Sequence, residues 1–135
     1  MSYTTLESDS NSSATLAALL NSQLTVKFVD TLLASPERPI LPRFTIVNVN
    51  FSPLDSCASV DDYRFVLTKL LPDPLHLAKD VYTCGTSHLP DERSVINSSG
   101  CYATVSVVSS ITKLDVGALA QAKVLNRISS ILSCI

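Results

Sequence analysis

Apolar residues recur at helical spacing between Thr15 and Ala34, at Leu16, Leu19, Leu20, Leu24, Phe28, Leu32 and Leu33. Asn21, Gln23, Lys27 and Asp30 fall on the opposite, wet side, so the pattern predicts an amphipathic helix. Ser12 or Ser13 is placed to cap its start, and Ser35-Pro36 ends it, because proline drives its predecessor out of α geometry. A proline-rich connector, Pro36 to Pro42, leads into the β-branched run from Phe44 to Asn50, which reads as an at least partly buried strand. Tyr63 to Leu70 and Lys79 to Cys84 read as two further strands. Leu71-Pro72-Asp73-Pro74 joins them as a turn, giving a hairpin that projects from the body. Asp91 to Gly100 is polar and reads as loop.

From Cys101 to Val108 the alternation is strict, with Cys101, Ala103, Val105 and Val107 on one face and Tyr102, Thr104 and Ser106 on the other. Asp115 is then positioned to cap a last helix with an apolar stripe of Leu119, Leu125, Ile128, Ile131, Leu132 and Ile135. The order helix, strand, hairpin, strand, helix belongs to the α/β class, with too few strands for a complete doubly wound sheet. There is no internal repeat and no interdomain linker. The chain divides into a polar segment, 1–13, and one unit over 14–135.

The composition narrows the classes. Hydrophobic residues make up 46% of the 135 and charged residues 16%, too apolar for a disordered chain. No run approaches the ~18 consecutive apolar residues of a membrane span, and the first thirteen residues resemble neither a signal peptide nor a basic transit peptide. The chain alone leaves its compartment open. A net charge of −2, without any cluster of Lys and Arg, gives no footprint for nucleic acid.

The four cysteines, Cys57, Cys84, Cys101 and Cys134, show no C-x-x-C spacing, and His76 and His88 are the only histidines, which argues against zinc. Two disulfides and buried free thiols both remain open. Among disulfides, Cys84 ends one predicted strand and Cys101 begins the next. That pair is the one expected to lie within bonding reach, with a gain of roughly 3 kcal/mol; Cys57 and Cys134 are less determined. Asn11, Asn50 and Asn97 each begin an N-x-[ST] triplet. Asn50 belongs to a predicted strand with Pro53 close behind, so Asn97, in Asn97-Ser98-Ser99, is the credible glycosylation acceptor.

Two segments carry a likeness to a known family. Leu41-Pro42 followed by Asn48-Val49-Asn50 resembles the Asn-Val-Asn strand of SurE proteins, with Pro53 later than in the bacterial pattern. Gly100-Cys101-Tyr102-Ala103-Thr104-Val105-Ser106-Val107, continuing to Leu114-Asp115, is similar to the family's Gly-Tyr-x-Ser-x-Thr strand and following Leu-Asp. The inserted Cys101, the missing proline after Ser106, and the stretches Asp80 to Gly85 and Leu89 to Glu92 look like the fungal branch. The resemblance runs in order from Ser2 to Cys134 and covers the C-terminal portion of such proteins. It implies a SurE-like, Rossmann-type fold with an incomplete sheet. In the intact family it implies a divalent-metal-dependent phosphatase acting on nucleotides and other phosphomonoesters. The family's ion is held by an Asp-Asp pair after the first strand, with Ser and Asn from later N-terminal loops, and this sequence aligns only beyond those segments. The chain alone is therefore expected to carry no cofactor and no catalytic, metal or cofactor-binding residues. The alternative is a non-catalytic module that self-associates or pairs with a SurE-like chain.

The chain offers few residues for chemistry of its own. Metal-assisted phosphoester hydrolysis needs clustered oxygen ligands. The one adjacent acidic pair, Asp61-Asp62, precedes a predicted strand where the family pair follows one, and its ordinary reading is a solvated turn. The only glycines, Gly85, Gly100 and Gly117, write no phosphate-binding loop. A Cys84–His88 or Ser87–His88 nucleophile is conceivable for a small hydrolase, against histidines placed in surface loops. Tyr102 could meet a ligand, though an aromatic in such a strand is ordinarily core.

Overall fold

The computed structural model describes residues 9–53 and 57–135. Helix α1, Asp9–Ala34, is followed by strand β1, Thr45–Phe51, a 3-10 turn at Val60–Asp62, and strand β2, Arg64–Thr68. Helix α2, Glu92–Asn97, strand β3, Tyr102–Ser109, and helix α3, Ala118–Ile128, complete the order. The strands form one three-stranded sheet in the order β1-β3-β2. β1 runs antiparallel to β3 and β2 runs parallel to it, so the sheet is mixed, open and α/β in class.

β3 is central, and every residue from Tyr102 to Val108 is buried. The predicted alternation decides which layer each side chain enters. Ala103, Val105 and Val107 join Phe65 and Leu67 of β2 in the main core. Leu24, Phe28 and Leu32 of α1 and Val124 and Ile128 of α3 pack over them. Tyr102 packs instead with Val66 and Val95 of α2 on the other face. Thr104 and Ser106 lie beside it, also buried.

The edges of the sheet differ. Ser133 donates its backbone N–H to Phe65 O at 2.7 Å and Leu132 bridges Phe65, so the C-terminal segment covers part of β2. On β1, Ser110 N donates to Phe44 O and Ser52 N to Tyr102 O. Alternation in an antiparallel ladder then directs the backbone groups of Val47, Val49 and Phe51 away from β3. No other described strand meets them. α1 is covered on one side only: Leu20, Leu24, Phe28 and Leu32 are buried, while Leu16, Leu19, Val26, Val29 and Leu33 stay exposed.

Several expectations are corrected. Residues 1–8 of the polar segment lie outside the described residues, and α1 already runs through Ser12 and Ser13, so neither marks its start. The predicted hairpin does not form. The turn is present, with His76 N on Asp73 O at 3.0 Å, but Lys79 to Cys84 is not a strand. Its backbone is spent elsewhere: Asp80 N donates to Ser87 O, Val81 N to the Gln121 side chain, and only Thr83 and Thr86 bridge, around Cys84 and Gly85 at positive φ. The polar stretch after Pro90 holds α2, capped by Asp91, whose carboxylate accepts from Ser94 N at 3.1 Å. Asp115 does not cap α3, which starts after Gly117. It accepts from the N–H groups of Leu70 and Leu71 at 2.6 and 3.0 Å. Leu119 is exposed, and the buried side of α3 is Gln121, Val124 and Ile128.

The disulfides also differ from the expected pair. Cys57 bonds Cys101 and Cys84 bonds Cys134, with Cα separations of 5.8 and 5.6 Å. Since β2 and β3 are parallel, the chain leaving β2 must travel back to reach the start of β3, and α2 lies on that return. Cys101 thus sits at the head of β3, beside the start of β2 (Arg64 N on Cys101 O, 2.9 Å), where Cys57 arrives. Cys84 meets the C-terminal segment instead.

Candidate functional site

The end of β2 and the N-terminus of α2 are joined by backbone bonds, Lys69 N to Pro90 O at 2.9 Å and Glu92 N to Lys69 O at 2.8 Å. This junction buries Lys69, only 5% exposed, and its charge must be met inside the protein. The Lys69 ammonium lies 3.1 Å from Asp80 and 3.3 Å from Asp73. Asp80 also accepts from Leu89 N and from Gln121 Nε2, and Gln121 Oε1 accepts from Val81 N at 2.8 Å. Asp73 closes its own turn by accepting from Leu77 N and Ala78 N at 3.0 and 3.1 Å.

Those two backbone bonds, helped by the Lys69 charge, hold the Asp73 carboxyl down at about 2. Burial alone would lower the Lys69 pKa, but the hydrogen bonds and charges of Asp80 and Asp73 more than offset it and raise it above the ordinary lysine value. The cluster pins the long segment between Thr68 and Glu92 to the sheet and α3.

Beside the cluster is a cavity of about 650 Å³, of the size that takes a small molecule, walled by Lys69, Asp73, His76, His88 and the Cys84–Cys134 bridge. His76 and His88 stack with ring centroids 4.0 Å apart, and His88 Nδ1 is buried without a hydrogen-bond partner among the described residues. The two histidines and Cys84 are therefore brought together, but not as a nucleophile and its base. Cys84 is consumed in its disulfide. No hydrogen bond joins Ser87 to His88 among the described residues, and His88 meets His76 face to face rather than a carboxylate. Asp91 is committed to Ser94, whose N–H and hydroxyl it accepts. Among the described residues its walls lack the geometry of nucleophilic catalysis.

The other sequence candidates are accounted for locally. Asp62 turns back to accept from Ala58 N and Ser59 N at 3.0 and 3.1 Å, so it caps the exposed turn before β2. Tyr102 is buried, with Arg64 Nη2 donating to its hydroxyl at 3.1 Å. Gly100 packs so closely on the Tyr102 ring that a Cβ there would lie 3.0 Å from it. Among the described residues no group of three or more His, Cys, Asp or Glu converges as a metal site. With Asp62 engaged by backbone amides, the Asp61-Asp62 pair does not fit the divalent ion of the SurE family.

A second polar arrangement lies on the sheet face opposite the main core. Register sets Asn48 against Ser106 and Asn50 against Thr104, and sets Thr68 against Ser106 on the other side. The amides of Asn48 and Asn50 both donate to the Glu92 carboxylate at 3.0 to 3.3 Å. Thr68 and Ser106 share a hydroxyl hydrogen bond of 2.7 Å, and the Thr104 hydroxyl is buried without a partner among the described residues. Sequence reading missed both this patch and the Lys69 cluster. A lysine closing an apolar strand, with an aspartate four residues on, was the available signal for the latter.

Comparison with protein-family models, with curated proteins and with solved structures found no match to this chain.

Proposed function

We propose that this chain is the C-terminal portion of a SurE-like metal-dependent phosphatase, of the kind that hydrolyses nucleotides and other phosphomonoesters, and that it is inactive alone. One observation carries this reading. The two segments that resemble the family, distant in sequence, are neighbouring strands with Asn48 opposite Ser106 and Asn50 opposite Thr104. Their polar side chains thereby compose one surface. A pair of unrelated likenesses gives no reason for such register.

In this reading the Asp-Asp metal pair comes from the other half of the protein, and this chain supplies closing strands and contacts. A non-catalytic module that self-associates or joins a full-length relative is the second reading, favoured by the open edge of β1. Free strand edges invite pairing, and the exposed leucines and valines of α1 offer a second apolar surface.

Both readings expect association. Purified chain should run by size-exclusion chromatography with light scattering as an oligomer, or copurify with a SurE-like chain. Val49→Pro should weaken that association, because the Val49 N–H points away from β3. A compact monomer with a sharp thermal transition, indifferent to a SurE-like chain, would overturn both.

A further inference from the structure

The three N-x-[ST] triplets separate once they are placed in the fold. Asn50 lies in β1, its amide is engaged by Glu92, and the hydroxyl of its Ser52 is buried, accepting from Tyr102 N at 2.9 Å. Asn11 sits within α1, where its backbone is committed to helix. Asn97 is the last residue of α2, and Ser98 leaves in an extended conformation, φ −81 and ψ 161. Asn97, Ser98, Ser99 and Gly100 are all exposed. Two residues along a helix turn the side chain by ~200°, so Asn97 faces away from the buried Val95. Its amide takes part in no hydrogen bond among the described residues.

The cysteines supply an independent observation. All four are closed into disulfides and none is free. Such pairs persist in oxidising compartments, the secretory route among them, and that route also carries out N-glycosylation.

We propose that Asn97 is an N-glycosylation acceptor whose co-substrate is a lipid-linked oligosaccharide. The Asn97 amide nitrogen forms a bond to the anomeric carbon of the first sugar. The bond from that carbon to the polyprenyl diphosphate oxygen breaks, the diphosphate leaves with the electron pair, and the amide loses one proton to the transferase. No redox partner is needed. This assignment stands independently of the phosphatase reading.

The test is to direct the full chain into the secretory pathway of a eukaryotic host and map peptides after treatment with peptide N-glycosidase, which converts a glycosylated asparagine to aspartate. The expected result is a slower-migrating form that collapses on treatment, with aspartate at position 97. Asn97→Gln should lose that form, and so should Ser99→Ala, which keeps Asn97 but removes the required hydroxyl. Ser99→Thr should retain it, and this pair of Ser99 variants carries the test if Asn97→Gln is not secreted. Secreted, disulfide-bonded protein with unmodified Asn97, or a glycoform that persists in Ser99→Ala, would overturn the proposal.

Discussion

The Lys69 ammonium lies 3.1 Å from the Asp80 carboxylate, with both side chains more than nine-tenths buried. Gln121 Nε2 donates to the same aspartate from α3, so one ion pair ties β2, the segment before α2 and α3 together. Removing one partner of a buried pair leaves an uncompensated charge and costs about 3 kcal/mol or more. Lys69→Ala and Asp80→Ala should each lower stability by that amount in urea denaturation. If both behave like ordinary surface substitutions, the cluster does not anchor the segment.

Asp73 makes a pH-dependent contribution of known sign. Its carboxyl titrates at about 2 in the folded protein against an ordinary 3.8, so the folded state favours the ionised form. The stabilisation is present above about pH 4 and is lost as pH falls through the folded value. Asp73→Asn should flatten the fall in stability between about pH 4 and pH 2, read from denaturation midpoints across that range. Parallel curves for the two proteins would contradict the assignment.

The parts of the fold legible in the sequence were those whose own periodicity decides their structure. The 3.6-residue spacing of Leu20, Leu24, Phe28 and Leu32 marks α1, a β-branched run marks β1, and strict alternation marks β3. The segment from Lys79 to Cys84 misled because Val81 is buried by packing and by its bond to Gln121, without a strand partner. No local pattern encodes a contact made by a residue forty positions later. α2 is legible in principle, since Asp91 is a favoured N-cap residue, but six residues are too few to show periodicity. Cys84 and Cys101 are neighbours in the linear order of elements, an order that the parallel crossover from β2 to β3 does not keep in space. Cys84 and His88, conceivable as a nucleophile and its base, line one cavity with His76 but do not form that pair. Their chemistry depended on the partner of Cys84, which the sequence alone does not reveal.

The disulfide pattern gives a third expected outcome. Peptide mapping of non-reduced protein should recover Cys57 linked to Cys101 and Cys84 linked to Cys134. The second bridge closes a 50-residue separation, for which chain-entropy arguments give about 4 kcal/mol, and it holds the C-terminal segment beside the cavity. Cys84→Ala with Cys134→Ala should therefore lower stability by up to that figure, and should loosen the backbone bond from Ser133 N to Phe65 O, seen as faster amide exchange at Ser133. A Cys84–Cys101 peptide, or unchanged exchange at Ser133, would refute this arrangement.

We propose that this chain completes a SurE-like phosphatase and is inactive alone. The direct measurement is hydrolysis of a chromogenic phosphate ester with magnesium or manganese, by the chain alone and by the chain coexpressed with the N-terminal half of a fungal-type SurE-like enzyme carrying its Asp-Asp pair. The account predicts no turnover by the chain alone, and EDTA-sensitive turnover by the copurified pair at a level the N-terminal half does not reach by itself. Robust EDTA-sensitive hydrolysis by the repurified chain alone, or a coexpressed pair that neither associates nor gains activity, would contradict it.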